Sequence, residues 1–420
     1  MTEFRNTEAY AHELDRQDVL SGFRERFFIP RDAEGNEQIY LCGNSLGLQP
    51  KTTKEYIDNE LEDWKNLGVE GHVHARHPWM PYHEFLTEKM ARIVGALPSE
   101  VVVMNSLTVN LHLMMVSFYR PTKERYKILI EYSPFPSDIY AVKSQLEYHG
   151  YDAESALIHL KPEEGTDIVS LESYRRILEE EGERIALVMI GGVNYYTGQL
   201  YPLAEMTRLA HATGAMIGFD LAHGAGNVRL SLHDVGCDFA VWCSYKYLNS
   251  GPGSLAGCFV HERHKDFDGP RLAGWWGHEK ESRFRMGPDY IPIPGAEGWQ
   301  LSNPPILSMA AIMASLDIFD EAGMDRLVEK SRNLTAYTEY LIKAIDSDAI
   351  ELITPTEPGQ RGCQLSIRVK GADKTLFGKI SEAGVIADWR EPDVVRIAPV
   401  PLYNSYLDVF RFVQILRASL

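Results

Sequence analysis

The sequence predicts an α/β protein, with a large domain around a mostly parallel seven-stranded sheet and a smaller α+β domain towards the C-terminus. Two observations predict it. Seven short apolar runs alternate with helical patterns through the middle of the chain, and the last part changes to two long helical stretches followed by short strands. With 420 residues, of which 45% are hydrophobic, the chain is long enough for one large core and a second, smaller one.

The seven runs are residues 101–104, 127–131, 156–160, 185–190, 216–220, 239–243 and 255–260. Their interiors are mostly apolar, as expected of strands covered on both faces. Residues 109–118, 171–180 and 203–212 between them carry the helical period. Residues 286–305 are rich in Gly, Pro and aromatics and predict an irregular connection. Helices are then expected over 306–322 and 327–345, and strands over 351–354, 363–369 and 394–397. This gives an N-terminal arm of residues 1–50 packing with the small domain, a large domain of 51–295 and a small domain of 296–420.

Acidic residues exceed basic ones by 59 to 42, which argues against nucleic acid or an anionic membrane surface as a partner, since both attract net positive charge. No run approaches the length of a membrane span, and the polar N-terminus lacks the apolar stretch of an export signal. The five cysteines are odd in number and contain no C-x-x-C pair, which fits a reducing cytoplasm. His72, His74 and His77 have no acidic or cysteine companion at ligand spacing, so no metal is expected.

The stretch FAVWCSYKYLNSGPGSLAG places Lys246 at the end of an apolar strand, against a glycine-rich turn and next to Trp242, Tyr245 and Tyr247. Taken alone, Lys246 reads as a lysine snorkelling from a strand end. Asp220 changes that reading. It ends another apolar run just before Leu221-Ala222-His223, so both residues lie at carboxyl ends of neighbouring strands, where open α/β sheets bind ligands. A carboxylate for a ring nitrogen and an amine for an aldehyde are what pyridoxal phosphate requires.

The glycines of residues 251–257 have the wrong spacing for a dinucleotide fingerprint and precede a strand, which argues against a nicotinamide enzyme. A better anion site is Ser106-Leu107-Thr108-Val109, where a strand stops and an apolar helix begins. In Tyr132-Ser133-Pro134-Phe135-Pro136-Ser137-Asp138 the prolines stiffen a loop able to lay Phe135 over a heterocycle, with Asp138 placed to bond or orient it. Read alone, these residues are equally turn chemistry and core packing.

The chain resembles the kynureninases, pyridoxal-phosphate hydrolases of the aminotransferase fold type I. The resemblance runs nearly end to end and rests on YLCGNSLGLQP at residues 40–50, the Leu107-Thr108 turn, YSPFPSD, NYYTGQ, GFDLAH, CSYKYLN, GWWGH, SNPP and RIAPVPLYNS. It implies hydrolysis of L-kynurenine, 3-hydroxy-L-kynurenine or both to anthranilate or its 3-hydroxy form plus L-alanine, a step of tryptophan catabolism. A cysteine desulfurase-like lyase is the rival within the fold, but it needs a reactive cysteine on a mobile loop, and Cys363 lies in a strand-like run. A catalytically silent cofactor-binding protein is the rival from another class.

The resemblance further implies that Lys246 carries the cofactor, that Asp220 pairs with its ring nitrogen beside His223, and that Phe135 stacks on the ring. Leu107, Thr108 and Tyr245 would hold the phosphate, joined by Trp275 from the partner subunit of a homodimer, and Asn303 would also lie against the cofactor. Arg396 is matched to the clamp on the substrate carboxylate, for which a planar fork of donors is suited. His72, Ser302 and Asn303 are matched to positions around the substrate ring, and Tyr245 is a candidate for the base that hydrates the ketone. Where many relatives have a serine before Gly-Val, this chain has Gly191 and lacks that hydroxyl.

Overall fold

The computed structural model describes residues 4–420. β1 (Ile39–Tyr40) belongs to the N-terminal arm. The large sheet is built from β2 (Val101–Met104), β3 (Lys127–Glu131), β4 (Leu157–Leu160), β5 (Ile185–Gly191), β6 (Met216–Asp220), β7 (Phe239–Cys243) and β8 (Ala256–Val260), in the order β2-β8-β7-β6-β5-β3-β4. β8 alone runs antiparallel to its neighbours. Because side chains alternate along a strand, Val101, Val103, Leu129, Ile217 and Ala240 enter one apolar layer. Val102, Met104, Ile128, Phe239 and Val241 enter the other. Gly218 lies opposite Phe239, and a Cβ there would come within 2.1 Å of the Phe239 ring, so glycine lets the aromatic lie flat across the strand.

All seven apolar runs become strands of this sheet, while several other sequence expectations need correction. Residues 134–138 do not form a free loop: Pro136 occupies the first turn of a helix, Pro136–Tyr148, where its missing amide costs nothing. The helix expected from residue 109 starts at Leu107, which puts Leu107 and Thr108 in its first turn. Trp242 does not wall Lys246; its ring packs over Gly257 of the adjacent strand.

C-terminal to the large sheet, β9 (Ile350–Leu352), β10 (Leu365–Val369), β11 (Val385–Ile386), β12 (Asp388–Arg390) and β13 (Val394–Ile397) follow. An antiparallel sheet forms in the order β12-β13-β10-β9, covered by Met324–Lys343 and Tyr406–Ser419. Helix Glu8–Gln17 contributes Tyr10 and Ala11 to this core, and β1 pairs in parallel with β11. The preceding helix, Ile306–Ala322, behaves differently. Eleven of its seventeen residues are buried, and eight of these join the core of the large sheet, with Thr53–Leu67 and Glu84–Val94 packed against the helix. We therefore propose a division at Gly323 in place of one at residue 296.

Candidate active site

β3, β5, β6 and β7 are neighbours and parallel, so their carboxyl ends open on one cleft. Glu131 ends β3, Gly191 ends β5, Asp220 ends β6, and Lys246 follows β7 by three residues. Together they line one cavity, along with Leu107, Thr108, Phe135, Ser137, Asp138, His223 and Tyr245.

The Lys246 amine lies 3.1 Å from Nε2 of His223 and 5.6 Å from the centre of the Phe135 ring. Burial, with the nearby charges of Lys246 and Arg396, holds the His223 imidazole well below its ordinary range. It is therefore neutral at physiological pH and accepts a hydrogen bond from the lysine. Asp220 accepts the Ala222 amide at 2.7 Å, and burial raises its carboxyl while that amide and Lys246 oppose the rise. Asp138 is likewise pushed up, by burial first and then by the charge of Asp220, so the two neighbouring acids titrate as a pair.

One wall presents hydrogen-bond donors. In helix Leu107–Phe118 the amide of Asn110 bonds the Ser106 carbonyl at 3.0 Å, while the amides of residues 107–109 precede the intrahelical ladder and the Ser106 side chain does not cap them. Helix Pro136–Tyr148 starts alongside, and the Thr108 and Ser137 hydroxyls meet at 2.9 Å. This donor set fits pyridoxal 5′-phosphate: helix amides and hydroxyls for the phosphate, a carboxylate for the ring nitrogen, an aromatic face for the ring and an amine for the aldehyde. The buried Asp138 Oδ1 has no protein partner, as expected of a group left for a polar ligand.

Arg396 comes from the other sheet. It is 1% exposed and donates to the Asp388 carboxylate and the Tyr195 carbonyl, with its guanidinium 5.8 Å from the Tyr195 ring centre. Tyr195 itself lines the cavity.

A profile of the kynureninase C-terminal domain matches residues 327–416, and one of aminotransferase class V matches residues 39–267. Kynureninase from Myxococcus xanthus is 57% identical over 415 residues, covering 99% of this chain and 97% of its own. The Koribacter versatilis kynureninase is 57% identical over 418 residues, covering 99% of each chain. This chain belongs to the kynureninase family.

Similar solved structures show the fold alone. Apo cysteine desulfurase from Thermococcus onnurineus NA1 superposes with a TM-score of 0.75 at 17% identity, covering 100% of this chain and 99% of its own. Cysteine desulfurase CsdA of Escherichia coli gives 0.76 at 16%, covering 95% and 98%. Chemistry separates this kynureninase-family chain from them: Cys363 is 1% exposed and burial pushes its thiol up, so it offers no reactive thiolate. The family's cofactor is pyridoxal 5′-phosphate, and the fit above applies to this chain.

Of the residues singled out from the sequence, Leu107, Thr108, Phe135, Asp138, Asp220, His223, Tyr245 and Lys246 share one cavity. His72, Trp275, Ser302 and Asn303 do not line it within a single chain: His72 is half-buried with Nδ1 on the Val69 carbonyl, and Trp275 is exposed with its indole N–H on the Arg283 carbonyl. Ser302 and Asn303 are exposed. Burial, then Cys243, pushes the Tyr245 phenol up, which suits a hydrogen-bond donor and works against its use as a base at neutral pH. Ser137, Tyr195 and Glu131 escaped the sequence reading. Ser137 had a local signal, a hydroxyl in the first turn of a proline-started helix; the other two had none.

Proposed function

We infer that this chain is a pyridoxal-phosphate-dependent hydrolase that cleaves the side-chain carbon–carbon bond of L-kynurenine, 3-hydroxy-L-kynurenine or both. The observation that carries this is the convergence of Lys246, Asp220 and the twin helix N-termini on one cavity, in a chain 57% identical to kynureninases over nearly its whole length. In the overall reaction water adds its oxygen to the γ-carbonyl carbon, which leaves as the carboxylate of anthranilate or its 3-hydroxy form. The Cβ–Cγ bond breaks, and a proton ends on Cβ of L-alanine.

When bound, the cofactor supplies an aldehyde for the substrate amine and a ring that accepts electrons from Cα. Leu107, Thr108 and Ser137 would hold the phosphate, Phe135 would cover the ring, and the Asp220 carboxylate would keep a proton on the ring nitrogen. Lys246 moves the proton at Cα, its amine aimed by the neutral His223. Arg396 holds the α-carboxylate with its planar donors and stays in place through Asp388 and Tyr195.

The same reading makes the enzyme a cytoplasmic homodimer with shared sites. Two facts support pairing: Trp275, His72, Ser302 and Asn303 lie outside the cavity of their own chain, and Leu272, Trp275, Phe284 and Met286 expose apolar surface. In that arrangement Trp275 and Asn303 reach the partner's cofactor, while His72, Ser302 and Asn303 border the substrate ring. Among the described residues no helix is long and apolar enough to cross a membrane. The test is release of fluorescent anthranilate or its 3-hydroxy form, with kcat/KM measured for each kynurenine. Absence of both products from cofactor-saturated protein would overturn the assignment, and a strong preference for the unhydroxylated substrate would remove the ring-hydroxyl role of His72, Ser302 and Asn303.

A further inference from the structure

Gly191 is explained by a residue on the next strand. Glu131 is 3% exposed, yet its carboxylate forms part of the cavity wall. One oxygen accepts the Gly191 amide at 3.0 Å; the other accepts Asn194 Nδ2 at 2.7 Å and the Tyr201 hydroxyl at 3.0 Å. A Cβ on residue 191 would lie 2.6 Å from the first oxygen. The carboxylate is pinned by its donors, so it cannot swing aside as a free side chain would. A serine at 191 and this placement of Glu131 therefore exclude each other.

The network continues towards the substrate side. Asn194 Oδ1 accepts the Tyr196 amide at 3.0 Å, the Thr197 amide at 2.9 Å and the Thr197 hydroxyl at 3.1 Å, which closes the turn at residues 193–199. Tyr195 is held inside that turn. Its carbonyl accepts from Arg396 and, at 2.9 Å, from Gln364 Nε2, while its ring meets Phe135 edge-on at 5.5 Å. A chain of contacts thus runs from a buried acid beside the cofactor cavity to both the ring-covering phenylalanine and the arginine.

We propose that Glu131 is a positioning residue for substrate-carboxylate binding: it sets the turn that carries Tyr195, Tyr195 sets Arg396, and Gly191 supplies the space the acid needs. The proposal rests on the reading of Arg396 as the carboxylate clamp, and its test separates the two. A buried carboxylate is costly to keep, and apolar residues would serve packing equally well, so its donors point to a placement role.

The test compares holoenzyme variants Glu131→Gln, Glu131→Ala, Gly191→Ser and the Glu131→Ala/Gly191→Ser double, with Arg396→Lys as reference. Steady-state kinetics with L-kynurenine and calorimetric binding of the product L-alanine are measured. Glu131→Ala is expected to raise KM and the L-alanine Kd roughly 10-fold with kcat within about threefold, because the partners of a buried acceptor are left unmade. Glu131→Gln, whose amide oxygen still accepts from Asn194 and Tyr201, restores most of that loss. Gly191→Ser gives a similar defect, and the double variant is less impaired than the product of the singles.

If Arg396→Lys raises both constants while Glu131→Ala and Gly191→Ser leave them within about twofold, the positioning role is wrong and the clamp stands. Multiplicative singles, or a fall in kcat at constant KM, would overturn the positioning role in the same way. If Arg396→Lys itself changes neither constant, the clamp reading fails and this proposal with it. Should Glu131→Ala not fold, Gly191→Ser decides the question by the same constants.

Discussion

Replacing Lys246 by alanine separates chemistry from stability. The amine makes one side-chain hydrogen bond, to His223, and none to a carboxylate, so its loss costs about 1 kcal/mol of stability. For a protein of this size that lowers Tm by no more than about 3 °C. Turnover responds differently: losing the group that moves the Cα proton lowers kcat/KM by ~10²–10⁴-fold, about 3–5 kcal/mol in the barrier at 1.36 kcal/mol per decade. The assay pairs anthranilate fluorescence and thermal melting with borohydride reduction of the wild type, followed by peptide mapping to locate the trapped cofactor. Turnover within about tenfold of wild type, or a trapped cofactor on a lysine other than Lys246, would refute the assignment. A large loss of Tm together with activity would instead make Lys246 a structural residue.

Asp220→Asn removes the charge that stabilises a protonated ring nitrogen, so turnover should fall by roughly 10²-fold and the cofactor should be lost faster on dialysis, followed by its visible absorbance; retention and turnover like wild type would rule this role out. Arg396→Lys keeps the charge but not the fork of donors, and KM for L-kynurenine should rise by roughly 10- to 100-fold with kcat nearly unchanged; an unchanged KM counts against it. Asp238 is a stability residue remote from this chemistry. Burial alone would raise its carboxyl, but bonds from His211 at 3.0 Å, His264 at 2.9 Å and the Ile217 amide at 2.8 Å outweigh it and hold it below the ordinary range. Since the folded pKa is the lower one, the stabilisation is present above the unfolded value near ~3.9 and is lost as pH falls through the folded value. Asp238→Asn should therefore destabilise by about 2–3 kcal/mol at neutral pH in denaturant melts, with the gap to wild type closing in acid; a gap independent of pH would contradict the ion-pair account.

Strands 101–104, 127–131, 216–220 and 239–243 coincide with β2, β3, β6 and β7 because the large sheet is buried on both faces, and double burial writes itself as an unbroken apolar run ended by turn residues. Lys246 and Asp220 were legible for the same local reason, each closing such a run. Helix Pro136–Tyr148 was not, since Pro134 and Pro136 read as loop residues until the register shows Pro136 in a first turn. Helix Ile306–Ala322 was visible as a helix, but its almost all-round burial says only that something covers it, not which core.

Glu131 and Gly191 mark the boundary most clearly. A glutamate at the end of a lysine-started strand reads as a solvent-facing charge, and a glycine before Gly-Val reads as a missing hydroxyl; sixty residues apart in the chain, they explain each other only when β3 and β5 lie side by side. Residue type and spacing along the chain determined the elements, the ligand end of the sheet and the lysine–aspartate pair, because those follow from near-neighbour periodicity and covalent reach. Tertiary structure alone decided which buried acids share one site, which arginine meets Tyr195 at the cavity wall and why residue 191 has no side chain, because desolvation, hydrogen-bond partners and excluded volume belong to atoms brought together from distant parts of the sequence.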